Sequence, residues 1–124
     1  MTNQRFQYDK KNRKPAYANT FYPGSESSLK HQLDLMFSKT VNKINDRKPI
    51  ALIAPHAGYV FSGKVAASAY AQIPDNAKYE RVFVLASSHN YRFKGAALYD
   101  AGNYETPLGE IEVDTKLASK LTES

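Results

Sequence analysis

The chain has 124 residues, of which 42% are hydrophobic and 23% charged, and its formal net charge is +5. This length accommodates one domain or part of one, and the composition is typical of a soluble globular protein. No apolar run approaches the roughly 20 residues that cross a bilayer, residues 1–14 lack the apolar core of a secretory signal, and cysteine is absent. We therefore expect no membrane partner, no disulfide and a cytoplasmic location.

Much of the positive charge lies in residues 1–14, which include Arg5, Lys10, Lys11, Arg13 and Lys14. Such a segment is either an arm that seeks phosphate groups or a solvated tail that keeps the chain soluble. The tail is favoured because the segment lacks the arginine density of a nucleic-acid-binding arm, so we expect no nucleic-acid partner. The chain thus divides into a flexible basic lead, residues 1–14, and a body, residues 15–124.

An irregular, aromatic segment and then a helix are predicted at the start of the body. Residues 15–24 are rich in aromatic and turn-forming residues, and residues 25–28 offer serine hydroxyls that can cap a helix. Apolar side chains then recur at helical spacing, so one helix face should be buried; these are Leu29, Leu33, Met36 and Phe37. His31 does not lie on this apolar face, and we assign it no site role.

A strand–helix–strand unit is predicted in the middle of the chain. Residues 50–54 are a continuous apolar run, and residues 81–86 are Arg81 followed by five apolar residues; both have the pattern of strands buried on both faces of a parallel sheet. Ser62 can cap the helix between them, whose predicted apolar face consists of Val65, Ala66, Ala69, Tyr70 and Ile73. The spacing suits a right-handed parallel crossover, which predicts an α/β fold with three layers around a mostly parallel sheet.

The last third of the body is less regular. We expect a short strand at residues 96–99 and a turn-rich segment at residues 104–113. Asp114 can cap a final helix in which Leu117 and Leu121 share one face.

Two histidines follow the two predicted parallel strands. His56 lies two residues past the first strand, and His89 lies three past the second. Parallel strands place both at the carboxyl edge of the sheet, where open α/β folds bind ligands, and paired imidazoles suit a divalent transition metal. Tyr59 and Ser88 are the predicted supporting residues of that cleft. The alternative is that each histidine hydrogen-bonds to backbone in its own loop.

A phosphate-binding loop is a competing interpretation of residues 58–64. Their sequence, Gly-Tyr-Val-Phe-Ser-Gly-Lys, matches the first seven positions of a P-loop and lies between a predicted strand and a predicted helix. Val65 stands where a P-loop carries the Ser or Thr that holds magnesium, and the strand at 81–86 ends without an acidic residue. Nucleotide binding is therefore disfavoured.

Several short motifs resemble those of the Memo family, which includes protein B of the AmmeMemoRadiSam system. They are Thr-Phe-Tyr-Pro at 20–23, Ile-Ala-Pro-His-Ala-Gly-Tyr at 53–59 with Ser-Gly at 62–63, Ser-His at 88–89, and Thr-Pro-Leu-Gly at 106–109 followed by Val-Asp at 113–114. The 54–59 string is the most specific, and the motifs together span nearly the whole body. Asn19 stands where family members commonly have glycine, and asparagine also tolerates a left-handed backbone.

The resemblance implies a fold similar to that of the class III extradiol dioxygenases, with His56 and His89 as two metal ligands. It implies iron as the metal, with copper or zinc as alternatives, and a metal-dependent, dioxygenase-like oxidoreductase. The alternative is a non-catalytic binding or adaptor protein that uses the same cleft for a small molecule or peptide. The family's third ligand is a cysteine of the C-terminal half, so we expect an N-terminal portion with an incomplete sandwich.

An incomplete sandwich has physical consequences that the sequence already predicts. Two imidazoles hold a metal weakly, so this portion should be inactive alone and should need the C-terminal half as its partner. Parallel strands without neighbours should also leave valine, isoleucine and leucine side chains exposed.

Overall fold

The computed structural model describes residues 11–44 and 47–122, and this part of the chain is a mixed α/β structure. Its helices are α1 (Glu26–Phe37), α2 (Tyr59–Tyr70) and α3 (Thr115–Thr122), and its strands are β1 (Tyr104–Thr106) and β2 (Gly109–Ile111). The described chain divides into two compact units: a helical unit, residues 17–44 with 47–87, and a hairpin unit, residues 11–16 with 88–122. Among the described residues, no helix combines the length and apolar character that a membrane span requires.

Helix α1 begins where the sequence predicts. Ser25 is its N-cap, and the Ser25 Oγ atom accepts a 3.3 Å hydrogen bond from the Ser28 amide, which satisfies one of the unpaired amides at the helix start. Leu29 and Met36 are buried, whereas His31 is exposed as expected. Phe37, predicted for the same buried face, remains 42% exposed.

Helix α2 begins four residues earlier than predicted, so the assignment of Ser62 as its cap is wrong. Gly58 is the N-cap and contributes no side-chain bond, while the Ser62 hydroxyl donates to the Ala57 carbonyl at 3.1 Å. The first helical amide, that of Tyr59, donates instead to the Phe21 carbonyl at 2.8 Å. A tertiary contact thus satisfies the helix start, and sequence-based capping rules do not detect it.

The face of α2 that packs on α1 also differs from the predicted one. Gly63 and Ala67 are buried, whereas Val65 and Tyr70 are 63% and 52% exposed, and Ile73 lies beyond the end of the helix. Small residues on the contact face allow the two helix backbones to approach closely. The larger apolar residues of α2 are therefore left outside the α1–α2 contact.

The two apolar runs predicted as strands are not paired as strands in the described structure. Residues 50–54 and 81–86 have no strand assignment, so the mostly parallel three-layer sandwich is not confirmed. A buried parallel strand needs hydrogen-bonding neighbours and cover on both faces, and here the side chains face solvent. The predicted exposure of apolar surface is confirmed, with Ile50 at 102%, Ile53 at 99%, Val84 at 85% and Leu85 at 94%.

The residues that lead into these two runs lie side by side within the helical unit. The Tyr79 hydroxyl donates to the Pro49 carbonyl at 3.0 Å, and the Lys48 ammonium lies 4.1 Å from the centre of the Tyr79 ring. Lys48 also donates to the Lys78 carbonyl. The Tyr79 and Lys48 side chains therefore link the two runs at their starts.

The hairpin unit contains an antiparallel β1–β2 pair within the segment predicted only as turn-rich. Thr106 pairs with Gly109, so the turn itself is the dipeptide Pro107-Leu108. Proline suits the first turn position, and Gly109 has a φ of +121°, a conformation that glycine adopts without steric cost. No strand forms at the predicted residues 96–99 among the described residues.

Residues 11–14, placed in the basic lead by the sequence, hydrogen-bond alongside β1. The Arg13 amide donates to the Asn103 carbonyl at 2.7 Å, and the Arg13 carbonyl accepts from the Glu105 amide at 2.9 Å. A methyl group on Gly102 would lie 2.5 Å from the Lys11 carbonyl oxygen, so this pairing requires glycine there. Residues 1–10 of the predicted lead lie outside the described residues.

Helix α3 follows the hairpin and has the predicted cap. The Leu117 amide donates to the Asp114 carboxylate at 3.0 Å, and the Ala118 amide donates to the Asp114 carbonyl at 2.9 Å. An acidic cap is favoured at this end because the helix dipole is positive there.

Candidate functional site

His56 lies in a loop that is anchored on its carboxyl side. The loop connects residues 50–54 to α2, and the His56 side chain is exposed. Immediately after it, the Ala57 carbonyl accepts the Ser62 hydroxyl bond at 3.1 Å, and the Tyr59 amide is bonded to Phe21 at 2.8 Å. The position of His56 is thus fixed by its neighbours, two residues before the helix cap.

Tyr59, a predicted supporting residue three positions after His56, packs into the helical unit. Its ring is half-buried, and the ring centroid lies 5.6 Å from that of Tyr22. Burial raises the pKa of the Tyr59 phenol above its ordinary value, with smaller contributions from the Tyr22 and Tyr70 phenols. The phenol therefore stays neutral at physiological pH and can donate a hydrogen bond.

His89 and Ser88 lie at the beginning of the second chain segment of the hairpin unit, and both are exposed. The Ser88 hydroxyl donates to the Tyr91 carbonyl at 2.7 Å and accepts from the Tyr91 amide at 3.3 Å. These two bonds close a tight turn around His89. Ser88 therefore supports His89 by shaping the backbone that carries it.

The two histidines belong to different units, so the cleft that they would share stays a prediction. Within residues 11–44 and 47–122, no group of three or more His, Asp or Glu side chains is placed to hold a metal ion. Imidazole nitrogens suit iron, copper and zinc, but a stable site needs at least three protein ligands. His56 and His89 can therefore be part of a ligand set and not the whole of one.

A cleft that the sequence did not predict lies beside α2 in the helical unit. It has a volume of about 300 Å³ and is lined by residues 19–23 together with Gln32 and Val60. The Gln32 Oε1 atom is buried and has no hydrogen-bond donor among the described residues. A buried acceptor without a donor is costly, so this oxygen is an unsatisfied group next to the cleft. The turn-rich composition of residues 15–24 was the only signal of this feature.

The turn at the edge of this cleft depends on Asn19, which has a φ of +64°. This left-handed conformation is the one expected where glycine is replaced by asparagine. The Asn19 Oδ1 atom accepts a hydrogen bond from the Gly24 amide at 2.9 Å, and the Asn19 amide donates to the Tyr22 carbonyl at 2.8 Å. Asn19 thus supports the aromatic residues that contact Tyr59.

The structure also weighs against the P-loop interpretation of residues 58–64. A P-loop presents an open loop whose amides face phosphate oxygens, whereas residues 59–63 form the first turns of α2. The Phe61 and Ser62 amides both donate to the Gly58 carbonyl, at 2.9 and 3.2 Å. Gly63 is buried against α1, so its role is in helix packing.

Comparison with known proteins agrees with the family resemblance that the short sequence motifs indicate. The sequence profile of the Memo-like protein family matches residues 13–124. The chain is 40% identical over 109 residues to a MEMO1 family protein of Thermococcus kodakarensis. The aligned region covers 88% of this chain and 37% of that protein. A MEMO1 family protein of Caldivirga maquilingensis is 38% identical, and the alignment covers 88% of this chain and 41% of that protein. One of Pyrococcus furiosus is 38% identical, and the alignment covers 90% of this chain and 38% of that protein. The chain spans about two fifths of the length of these curated relatives. Because the family profile covers nearly the whole chain, the chain belongs to the Memo-like protein family.

Proposed function

We propose that this chain contributes His56 and His89 as two ligands of a divalent transition-metal centre, in an oxidoreductase related to the class III extradiol dioxygenases. The observation that carries the proposal is the Tyr79–Pro49 hydrogen bond of 3.0 Å. This bond links the starts of the two histidine-bearing segments through the Tyr79 side chain. If residues 50–54 and 81–86 form neighbouring parallel strands, the loops that follow them carry the two histidines to one edge of the sheet.

The two imidazoles supply part of the ligand set that a divalent transition metal needs. Both imidazoles are exposed, and iron is the expected ion, with copper or zinc as alternatives. When bound, a ferrous ion would supply the redox chemistry of the site. The neutral Tyr59 phenol would donate a hydrogen bond beside it. The parallel three-layer sandwich, a cytoplasmic location and a place in the AmmeMemoRadiSam system belong to the same proposal.

Metal retention by three alanine variants tests this proposal. The chain is loaded with zinc, a redox-stable probe, and bound metal is measured after equilibrium dialysis. His56→Ala and His89→Ala should each lower the zinc affinity by about tenfold or more, because loss of one ligand leaves an incomplete shell. His31→Ala, which removes an exposed imidazole from α1, should not change it. Equal losses in all three variants would contradict the proposal.

A second function is favoured by the cleft next to Gln32. Phe21, Tyr22 and Gln32 line this cleft, and binding of a ligand there would need no metal. This supports the alternative of a non-catalytic binding or adaptor protein for a small molecule or a peptide. Ligand binding that survives His89→Ala but is lost in Gln32→Leu would favour this second function.

A further inference from the structure

The segment that follows His89 is basic and aromatic. Residues 81–99 contain three cationic side chains and no Asp or Glu. Arg92 and Lys94 alternate with Tyr91 and Phe93 and are exposed, while the two rings are 79% and 53% exposed. A surface with cations and no nearby acid in its own segment produces a local positive potential, which attracts anions.

The structure also gives this segment a defined backbone path. The two hydrogen bonds between Ser88 Oγ and the Tyr91 backbone close a turn at its start. Gly95, with a φ of +87° and open space around it, turns the chain again at its end. Because consecutive Cα atoms are about 3.8 Å apart, the Arg92 Cα atom lies within about 11 Å of the His89 Cα atom.

The two cations are available to a ligand. Several other cations of the described chain have partners, such as Lys14 with Glu105 at 2.6 Å and Lys43 with Asp75 at 3.7 Å. No ion pair or ring contact involves Arg92 or Lys94 among the described residues. A guanidinium group that is not already paired can bind a carboxylate or phosphate through two parallel hydrogen bonds.

We propose that Arg92 and Lys94 bind the acidic group of a ligand held at His89, so that the substrate of this site is an anion carrying a carboxylate or a phosphate. This inference rests on the proposed function for its placement at a metal centre. The anion-binding step itself depends only on the residues of the 88–95 segment.

The first experiment measures anion binding without metal. Benzoate, phenyl phosphate and the uncharged benzyl alcohol are titrated into the isotope-labelled chain, and amide chemical shifts of residues 88–95 are followed by NMR. At least one of the two anions should bind with displacements in this segment, and benzyl alcohol should bind more weakly. Comparison of the two anions identifies carboxylate or phosphate as the preferred group. Added salt should weaken binding, because the site is exposed.

A matched pair of variants tests the role of the two cations. Arg92→Gln/Lys94→Gln should weaken anion binding by about fivefold or more, because hydrogen bonds between charged groups are stronger than those between neutral groups. Lys116→Gln/Lys120→Gln removes the same charge from exposed positions of α3 and should have little effect. Equal binding of benzyl alcohol, or equal losses in the two double variants, would overturn the inference.

Anion titration in the presence of zinc distinguishes failure of this inference from failure of the proposed function. With zinc present, the wild-type chain should bind the preferred anion more tightly, and His89→Ala should lose that gain but keep the metal-free affinity. If zinc binds and the affinity for the anion does not change, the placement at His89 is wrong. If zinc does not bind and metal-free anion binding persists, the metal proposal fails while the Arg92–Lys94 site stands.

Discussion

Gly63 of α2 lies directly against the end of the Met36 side chain in α1. A methyl group on Gly63 would come within 2.6 Å of the Met36 sulfur and 2.7 Å of its terminal carbon. Met36 is one of only four buried apolar residues in the described chain. The approach of the two helices therefore depends on the missing side chain at position 63.

Gly63→Ala should lower the free energy of unfolding by about 1 kcal/mol. Overpacking a buried contact costs roughly 1–3 kcal/mol, whereas replacing glycine by alanine within a helix contributes up to about 1 kcal/mol. Urea unfolding followed by circular dichroism measures the difference. In a Met36→Ala background the contact is gone, so the same change should stabilise the chain. A destabilisation of equal size in both backgrounds would show that Met36 is not the cause.

Asn19 should tolerate glycine better than alanine. Asn19→Ala forces an alanine into a left-handed backbone and removes the bond from the Gly24 amide, which together should cost about 1–2 kcal/mol. Asn19→Gly loses only the side-chain bond and should cost less than about 1 kcal/mol. Thermal unfolding compares the two variants. If alanine is the milder substitution, the φ of +64° is not what selects asparagine.

The raised pKa of Tyr59 predicts a loss of stability at alkaline pH. Since burial disfavours the charged phenolate, the folded chain binds this proton more tightly than the unfolded chain. The stabilisation is complete below the pKa of an unfolded tyrosine and is lost as the pH rises through the folded pKa. As the pH rises above about 10, the wild type should therefore lose more stability than Tyr59→Phe. Tyr91→Phe, which removes an exposed phenol, should follow the wild type.

The exposed apolar runs predict self-association of this chain. Ile53 and Leu85 are 99% and 94% exposed, and unpaired apolar segments of this kind associate with one another. The double variant Ile53→Lys/Leu85→Lys should elute later and with less dependence on concentration in size-exclusion chromatography. Ser27→Lys/Ser119→Lys adds the same charge at exposed polar positions and should behave like the wild type. A wild-type chain that runs as a monomer at all concentrations would contradict this prediction.

Local interactions made part of this protein predictable from its sequence. The caps of α1 and α3 depend on Ser25 and Asp114, whose side chains bond to amides three residues away, so the residue type alone indicates the helix start. The left-handed turn at Asn19 and the exposed position of His31 are local in the same sense. The family resemblance, confirmed by the comparisons, followed from short contiguous motifs.

Interactions between residues that are distant in sequence determined the features that local patterns did not predict. The start of α2 depends on a carbonyl at Phe21, 38 positions before Tyr59, and its buried face depends on how closely Gly63 approaches Met36. Residues 50–54 and 81–86 have the pattern of parallel strands, but a strand forms only when neighbours accept its hydrogen bonds and cover its faces. For the same reason, the sequence could name His56 and His89 as candidate ligands, but their meeting at one metal ion depends on a sheet edge that no local pattern determines.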